Sequence, residues 1–220
     1  MTPKMNRILQ ATSLVVSAII FVLIIIKLVN YYSDKNNSER PLEKPLTESE
    51  NDIVWGSPDA SLTMYMFSSY KCKFCSLFFT EVFPEINEKY IDTGTLKVVL
   101  KPVNLREDEN MMKAIQASVC VNKFGKFEKF HELLITNPNV VKTEDFQVLL
   151  DDFIAANPDI AQCLLENNDY EYIRKNNKEF SANNFSGTPT FVIEGKIYSG
   201  FRNFEQFEDI FQNETSDATY

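Results

Sequence analysis

The spacing of hydrophobic and polar positions divides the chain into strands and helices. Alternating or short apolar runs predict strands at 61–69, 95–101, 190–193 and 196–198. Apolar residues at helical spacing predict helices at 73–90, 109–124, 126–136, 143–156, in a short segment that contains Cys163, at 169–183 and at 203–212. This order predicts an α/β fold in which a β-α-β half and a β-β-α half share one sheet, with a helical insertion at about 105–186 between them.

An apolar run near the start of the chain predicts a membrane anchor. The run extends from Ile8 to Ile26, and a helix of that length spans about 28 Å, close to the ~30 Å hydrocarbon core of a bilayer. Lys4 and Arg7 precede it, so the positive-inside rule places the N-terminus in the cytoplasm and exports the rest. A cleaved signal peptide is the alternative, although bulky residues rather than small ones follow the run.

Composition predicts how the chain is divided. Residues 1–29 are predicted to be the cytoplasmic stub and anchor, and residues 30–52, rich in Asn, Ser, Glu and Lys with two prolines, are predicted to be a flexible tether. One domain is predicted at 53–212, followed by a frayed tail at 213–220. The net charge of −9, from 22 basic and 31 acidic residues, argues against a nucleic-acid partner.

Two of the four cysteines carry the strongest chemical signal. Cys72 and Cys75, with Lys73 and Phe74 between them, lie where a strand-like run gives way to a helix-like run. The N–H groups and dipole at a helix N-terminus stabilise a thiolate, and a low thiol pKa makes Cys72 a good attacking or leaving sulfur. A structural disulfide or half of a zinc site is the alternative, but the other two cysteines are not arranged as a second zinc knuckle.

A second motif adds a family resemblance. The C-x-x-C between a strand and a helix resembles the thioredoxin-like redox signature, and Gly187-Thr188-Pro189-Thr190-Phe191 resembles the cis-proline loop that faces the cysteine pair in that fold. With the helical insertion, residues 53–212 resemble the DsbA-like thiol:disulfide oxidoreductases, and the predicted anchor would make the chain a membrane-anchored member of that family. The resemblance implies that the cofactor is the redox-active Cys72–Cys75 disulfide itself, with no metal.

The resemblance also implies roles for the neighbours of the pair. Thr188 and Pro189 are expected to pair with an extended substrate peptide and to tune the redox potential. Lys73 is expected to favour the Cys72 thiolate, while Tyr70 and Phe74 are candidates for an apolar substrate-binding rim. His131, on a predicted amphipathic helix, is expected to be structural.

The chain departs from the family at several positions near the cysteines. Met66 stands where relatives commonly have an acid that assists proton transfer at the second cysteine, and Ser69 stands where many have Asp. Phe74 stands where a histidine is frequent. These departures predict a pair that oxidises moderately, less strongly than the strongest oxidants of the family.

The remaining cysteines, Cys120 and Cys163, lie in the insertion, 43 positions apart. Export to an oxidising compartment and similar pairs in relatives favour a structural disulfide between them. Two buried thiols are the alternative, and a redox relay with the first pair is a weaker one.

Taken with the predicted export, the resemblance implies a thiol oxidase that introduces disulfide bonds into secreted or periplasmic proteins. It would sit in the bacterial inner membrane as a single-pass protein, with its catalytic domain in the periplasm. Its partners would be cysteine-containing secreted proteins and, for re-oxidation, a DsbB-like membrane quinone reductase. A disulfide isomerase or reductase of the same fold is the alternative, and a membrane-anchored chaperone or metal-binding module is a more remote one.

Overall fold

The computed structural model describes residues 16–28, 40–166 and 170–217. The chain divides into two units, residues 1–39 and 40–220, and in the first of them residues 16–28 form a helix. No helix among the described residues is both long enough and apolar enough to cross a membrane. The first part of the predicted anchor, 8–15, lies outside the described residues.

Six strands form one mixed sheet in the second unit. In chain order they are β1 (Arg40–Pro41), β2 (Ile53–Trp55), β3 (Leu62–Ser68), β4 (Leu96–Pro102), β5 (Thr190–Ile193) and β6 (Lys196–Ser199). Their order across the sheet is β1-β6-β5-β3-β4-β2. Only β3 and β4 pair in parallel among the described strands, with Leu62 opposite Leu96 and Ser68 opposite Pro102. The parallel pair and the β5–β6 hairpin confirm the two predicted halves.

The helices also follow the predicted order. Helix α1 consists of four consecutive segments, Lys73–Leu77, Phe78–Val82, Phe83–Ile86 and Asn87–Ile91. The insertion contains α2 (Glu109–Phe124), α3 (Phe127–Thr136), a 3₁₀ turn (Val140–Lys142), α4 (Asp145–Ala156), α5 (Asp159–Glu166) and α6 (Glu171–Ala182). The last helix, α7 (Phe204–Asp217), extends beyond its predicted end, so much of the predicted frayed tail is helical.

Proline accounts for the irregular course of α1. Pro84 has no N–H with which to continue the ladder, and its ring crowds the carbonyl four residues before it. The helix has π geometry over Phe78–Val82, immediately before the segment that contains Pro84, and again over Asn87–Ile91. The wider turns accommodate the proline without ending the helix.

The sheet has a hydrophobic cluster on each face. Met64 and Met66 project from one face into the larger cluster, where they lie with residues of α1, the insertion and α7. Phe67 projects from the other face and meets the rings of Phe180 and Phe185 at 5.8 and 5.0 Å between centroids. Burial on both faces explains why β3 reads as a nearly continuous apolar run.

The domain begins earlier than the sequence predicted. The tether was expected to reach Asp52, but Arg40–Pro41 pairs with β6, and Leu42 and Leu46 pack on the second cluster. We call residues 42–52 the strap. The packing of the strap was not predicted because its composition is polar. The strap is held mainly by hydrogen bonds and ion pairs with distant residues, and these leave no periodic apolar face in the sequence.

A buried lysine holds the strap against the sheet. Lys101 on β4 is fully buried, and its Nζ donates to the carbonyl oxygen of Thr47 at 2.7 Å. The same Nζ lies 3.4 Å from Asp52 Oδ2 and 3.3 Å from Glu179 Oε2. The hydroxyl of Tyr172 donates to Asp52 Oδ1 at 2.9 Å. The charge is thus paired, as a buried charge must be.

Candidate active site

The two cysteines lie at the junction that the sequence predicted. Cys72 is the N-cap of α1 and is partly exposed, whereas Cys75, in the first turn, is fully buried. The backbone N–H groups of Cys75 and Ser76 both donate to the carbonyl oxygen of Cys72 at 3.1 Å, which fixes the first turn. Both thiols are free.

The acidities of the two thiols are shifted in opposite directions. The pKa of Cys72 is lowered to about 5, chiefly because the Cys75 thiol hydrogen-bonds to its sulfur, with further contributions from the Thr188 side chain and the N–H groups of Cys75 and Phe74. Burial opposes this shift without overcoming it. The pKa of Cys75 is raised, first by burial and then by its sulfur neighbour, and contacts with Ser68 and the Ser69 N–H offset part of the increase. At neutral pH the pair therefore holds one thiolate, on the exposed cysteine.

The loop before β5 faces Cys72. In its thiol form, Cys72 Sγ donates to the carbonyl oxygen of Thr188 at 3.0 Å. The Thr188–Pro189 peptide bond is cis, as the motif predicted. The carbonyl favours the thiol form, whereas the Thr188 side chain favours the thiolate. Thr190 Oγ1 donates to Gly187 O at 2.6 Å and closes the loop on itself.

A model of the thioredoxin family matches residues 48–213 of the chain, which is most of its length. The chain belongs to the thioredoxin family.

Similar proteins come from several bacteria. Disulfide bond formation protein D of Bacillus subtilis is 26% identical over 186 residues, which cover 76% of this chain and 84% of that protein. A relative from Rickettsia felis is 26% identical over 167 residues, which cover 73% of this chain but 59% of the longer rickettsial protein.

Solved structures share the fold. Oxidised BdbD from Bacillus subtilis superposes with a TM-score of 0.64 at 22% identity, over 81% of this chain and 98% of that one. Wolbachia pipientis alpha-DsbA1 gives a TM-score of 0.61 at 23% identity, over 79% of this chain and 96% of that one. At these identities the likeness shows the fold, including a helical insertion within a thioredoxin-type sheet. Together with the family model and the named relatives, it identifies the chain as a DsbA-like thiol:disulfide oxidoreductase.

The two residues between the cysteines of this DsbA-like protein are both exposed. Phe74 is 54% exposed, and its ring lies 6.4 Å from that of Phe201, so the two present an apolar surface beside Cys72. Lys73 also faces solvent. The main groups that lower the pKa of Cys72 are hydrogen-bond donors rather than this ammonium, so redox tuning by Lys73 stays a prediction.

Tyr70 does not line a substrate surface, and this corrects the prediction from sequence. Its side chain is 4% exposed, and its hydroxyl lies 2.8 Å from Ser118 Oγ and 3.1 Å from His131 Nδ1. Its position two residues before Cys72 suggested exposure, but the loop turns it into the insertion, where two polar partners satisfy the hydroxyl. Tyr70 thus anchors the cysteine loop to α2 and α3.

A partly exposed salt bridge also holds the loop that precedes Cys72. Lys71 Nζ lies 2.6 Å from Asp108 Oδ2, and Asp108 is also the N-cap of α2, where its Oδ1 accepts from the Met111 N–H at 2.9 Å. The hydrogen bond from Lys71, supported by that N–H, lowers the pKa of Asp108. Sequence reasoning missed this residue, although an Asp before an apolar helical run is a recognised cap signal.

The other two cysteines form a disulfide. Cys120 on α2 and Cys163 on α5 are joined with an S–S distance of 2.06 Å and a Cα–Cα distance of 5.7 Å. Both residues are buried in the insertion. This is the pairing that the resemblance implied, and it closes a loop containing α3 and α4.

Proposed function

We propose that this protein introduces disulfide bonds into cysteine-containing secreted proteins through Cys72 and Cys75. A substrate thiolate would attack Cys72, Cys75 would leave, and a second substrate thiol would then release Cys72. The observation that carries the proposal is the asymmetry of the pair: a partly exposed thiol with a pKa near 5 next to a buried thiol with a raised pKa. A stable Cys72 thiolate favours the reduced enzyme and so favours oxidation of the substrate.

The surroundings of Cys72 support capture of an extended substrate. The Thr188 loop lies in hydrogen-bond contact with the sulfur, and the Phe74–Phe201 surface offers apolar contact. The name of the Bacillus subtilis relative, Disulfide bond formation protein D, agrees with this direction of the reaction.

We further propose that the domain is exported and held at the outer face of the bacterial inner membrane by the apolar run from Ile8 to Ile26. This proposal rests on the sequence of that run and on Lys4 and Arg7 before it. Re-oxidation by a DsbB-like quinone reductase is proposed from the family resemblance.

Oxidation of a reduced, unfolded two-cysteine protein tests the proposal. Wild-type oxidised protein should form the disulfide, Cys72→Ser should not, and Cys120→Ala/Cys163→Ala should retain activity. Titration against glutathione should give a potential well above the roughly −270 mV typical of thioredoxin. A potential near that value, with efficient rescue of a scrambled disulfide protein, would instead favour the isomerase or reductase alternative.

A further inference from the structure

The loop that faces the active site begins directly after helix α6. The helix ends in a Schellman motif, in which the Phe185 N–H donates to Phe180 O at 3.2 Å. In the same motif the Asn184 N–H donates to Ser181 O at 3.1 Å. The rings of Phe180 and Phe185 meet edge to face with their centroids 5.4 Å apart. Thr188 follows Phe185 by three positions, so the end of the helix sets where the loop starts.

The residue that turns the chain at this helix end is Asn184. Its φ is +54°, in the left-handed region that a glycine adopts without cost. Asparagine tolerates this region better than most residues, but it still needs support from its surroundings. Contacts from outside the helix therefore help to keep the turn in one conformation.

Those contacts come from the segment with which the domain begins. Arg40 Nη2 donates to the carbonyl oxygens of Asn183 at 3.0 Å and Asn184 at 3.3 Å. Arg40 Nη1 lies 3.3 Å from Glu43 Oε1, and Glu43 Oε2 accepts from Asn184 Nδ2 at 3.0 Å. The backbone N–H of Lys44 donates to Asn183 Oδ1 at 2.8 Å. We call Arg40, Glu43 and Lys44 the clamp.

The central group of the clamp suits its position. The C-terminus of a helix presents carbonyl oxygens and the negative end of the helix dipole, and both favour a cation. A guanidinium holds its donors in a rigid plane, so it can bond two carbonyl groups and a carboxylate together. The backbone of Arg40 pairs with Ile197 of β6. The clamp therefore ties the end of α6 to an edge strand of the sheet.

We propose that Arg40 is a positioning residue for client capture, because it holds the helix end from which the Thr188 loop starts. The inference rests on the proposed function, in which this loop pairs with an extended client. The Thr188 carbonyl oxygen lies 3.0 Å from Cys72 Sγ, so a displaced loop changes what a client meets beside the reactive sulfur. A loop that is already ordered also loses less conformational entropy when a client binds. The effect of Arg40 thus falls on client binding.

The first measurement compares an extended client with a small dithiol, using the full-length protein. We expect Arg40→Met to lower kcat/KM for oxidation of an unfolded two-cysteine peptide about fivefold, chiefly through KM, as expected for the loss of one net hydrogen bond. The rate at which dithiothreitol reduces the oxidised protein should change by less than about twofold, since dithiothreitol has no peptide backbone. Arg40→Lys keeps the charge but loses the planar fork and should lie between Arg40→Met and wild type.

Lys97→Met is the matched control. It also removes a cation that pairs with a carboxylate of the strap, since Lys97 Nζ lies 2.7 Å from Glu48 Oε1. Lys97 is opposite Thr63, near the start of β3, whereas Cys72 follows the end of that strand. The client KM of this variant should therefore equal that of wild type.

Hydrogen exchange separates positioning from a general loss of stability. In Arg40→Met, the backbone amides of residues 184–191 should exchange several-fold faster, while those of β3 and β4 keep their wild-type rates. A merely structural role would speed exchange throughout the domain. Wild-type exchange in the loop, an unchanged client KM, or an equal fall of the client and dithiothreitol rates would overturn the inference. If the wild-type protein oxidises no client, the proposed function fails, and exchange in the loop alone then decides whether Arg40 positions it.

Discussion

The Tyr70 hydroxyl lies 3.1 Å from Nδ1 of His131, and both side chains are buried. The imidazole is enclosed by aromatic rings, with the Phe79 ring centroid 4.3 Å away in an edge-to-face arrangement. Burial lowers the pKa of His131 to about 3, so the ring is neutral at physiological pH and acts as a packed hydrogen-bond partner. The expectation that this histidine is structural agrees with its surroundings.

Replacement of His131 by Phe should reduce the sensitivity of the fold to acid. An unfolded histidine binds a proton near pH 6.5, whereas the folded one does so near pH 3. The stability that the neutral ring contributes is therefore present above pH 6.5 and is lost as the pH falls toward 3. Urea unfolding at several pH values should show a slope smaller by up to about 1.4 kcal/mol per pH unit in the variant. Identical slopes in the two proteins would contradict the assignment.

Alkylation of the reduced protein should report the acidity of Cys72 directly. Because its pKa is about 5, reaction with iodoacetamide should stay near its maximum at pH 7 and fall with a midpoint near pH 5. Cys75 should remain unmodified in the folded protein, since it is buried and its pKa is raised. Mass spectrometry of the cysteine-containing peptides distinguishes the two sites. A midpoint near pH 8.5 would show that the thiolate is not stabilised.

Lys101→Met should destabilise the domain by about 3–5 kcal/mol, because it leaves the carboxylates of Asp52 and Glu179 without their buried cation. Lys97→Met is the matched control on the same strand. Lys97 pairs with Glu48, whose side chain is 46% exposed, and that pair should contribute less than about 1 kcal/mol. Chemical denaturation of both variants measures the difference. Equal losses in the two variants would contradict the expectation that removing the cation from the buried ion pairs costs more than removing it from the exposed one.

Removal of the second disulfide should affect stability rather than turnover. Cys120→Ala/Cys163→Ala opens a loop with a sequence separation of 43, which in the chain-entropy model costs about 4 kcal/mol. Thermal unfolding should detect the loss, while client oxidation at a temperature where the variant stays folded should be unchanged. Loss of oxidation in the folded variant would point to exchange between the two cysteine pairs.

Much of the fold follows from local pattern. The helices of the insertion and the β5–β6 hairpin have strong periodicity or clear turn residues, and the structure places them within a few residues of their predicted positions. Strands β1 and β2 were missed because each is very short and exists through pairing with a distant strand. Such pairing leaves no periodic signal in the sequence.

The candidate site was also predicted only in part from the sequence. Cys72, Cys75 and Thr188 lie together because their motifs specify a helix start and a loop beside it. The inward orientation of Tyr70 depends on tertiary packing against α2 and α3, so adjacency to the motif led to a wrong prediction for this residue.

Strand β1 covers one edge of the sheet. A bare sheet edge is a template on which extended polypeptides can settle. Here the outer side of β6 is covered by Arg40–Pro41, a strand two residues long in which Pro41 has no N–H to offer. An extended polypeptide that approaches this edge finds few N–H groups with which to pair, so the addition of a further strand there is disfavoured.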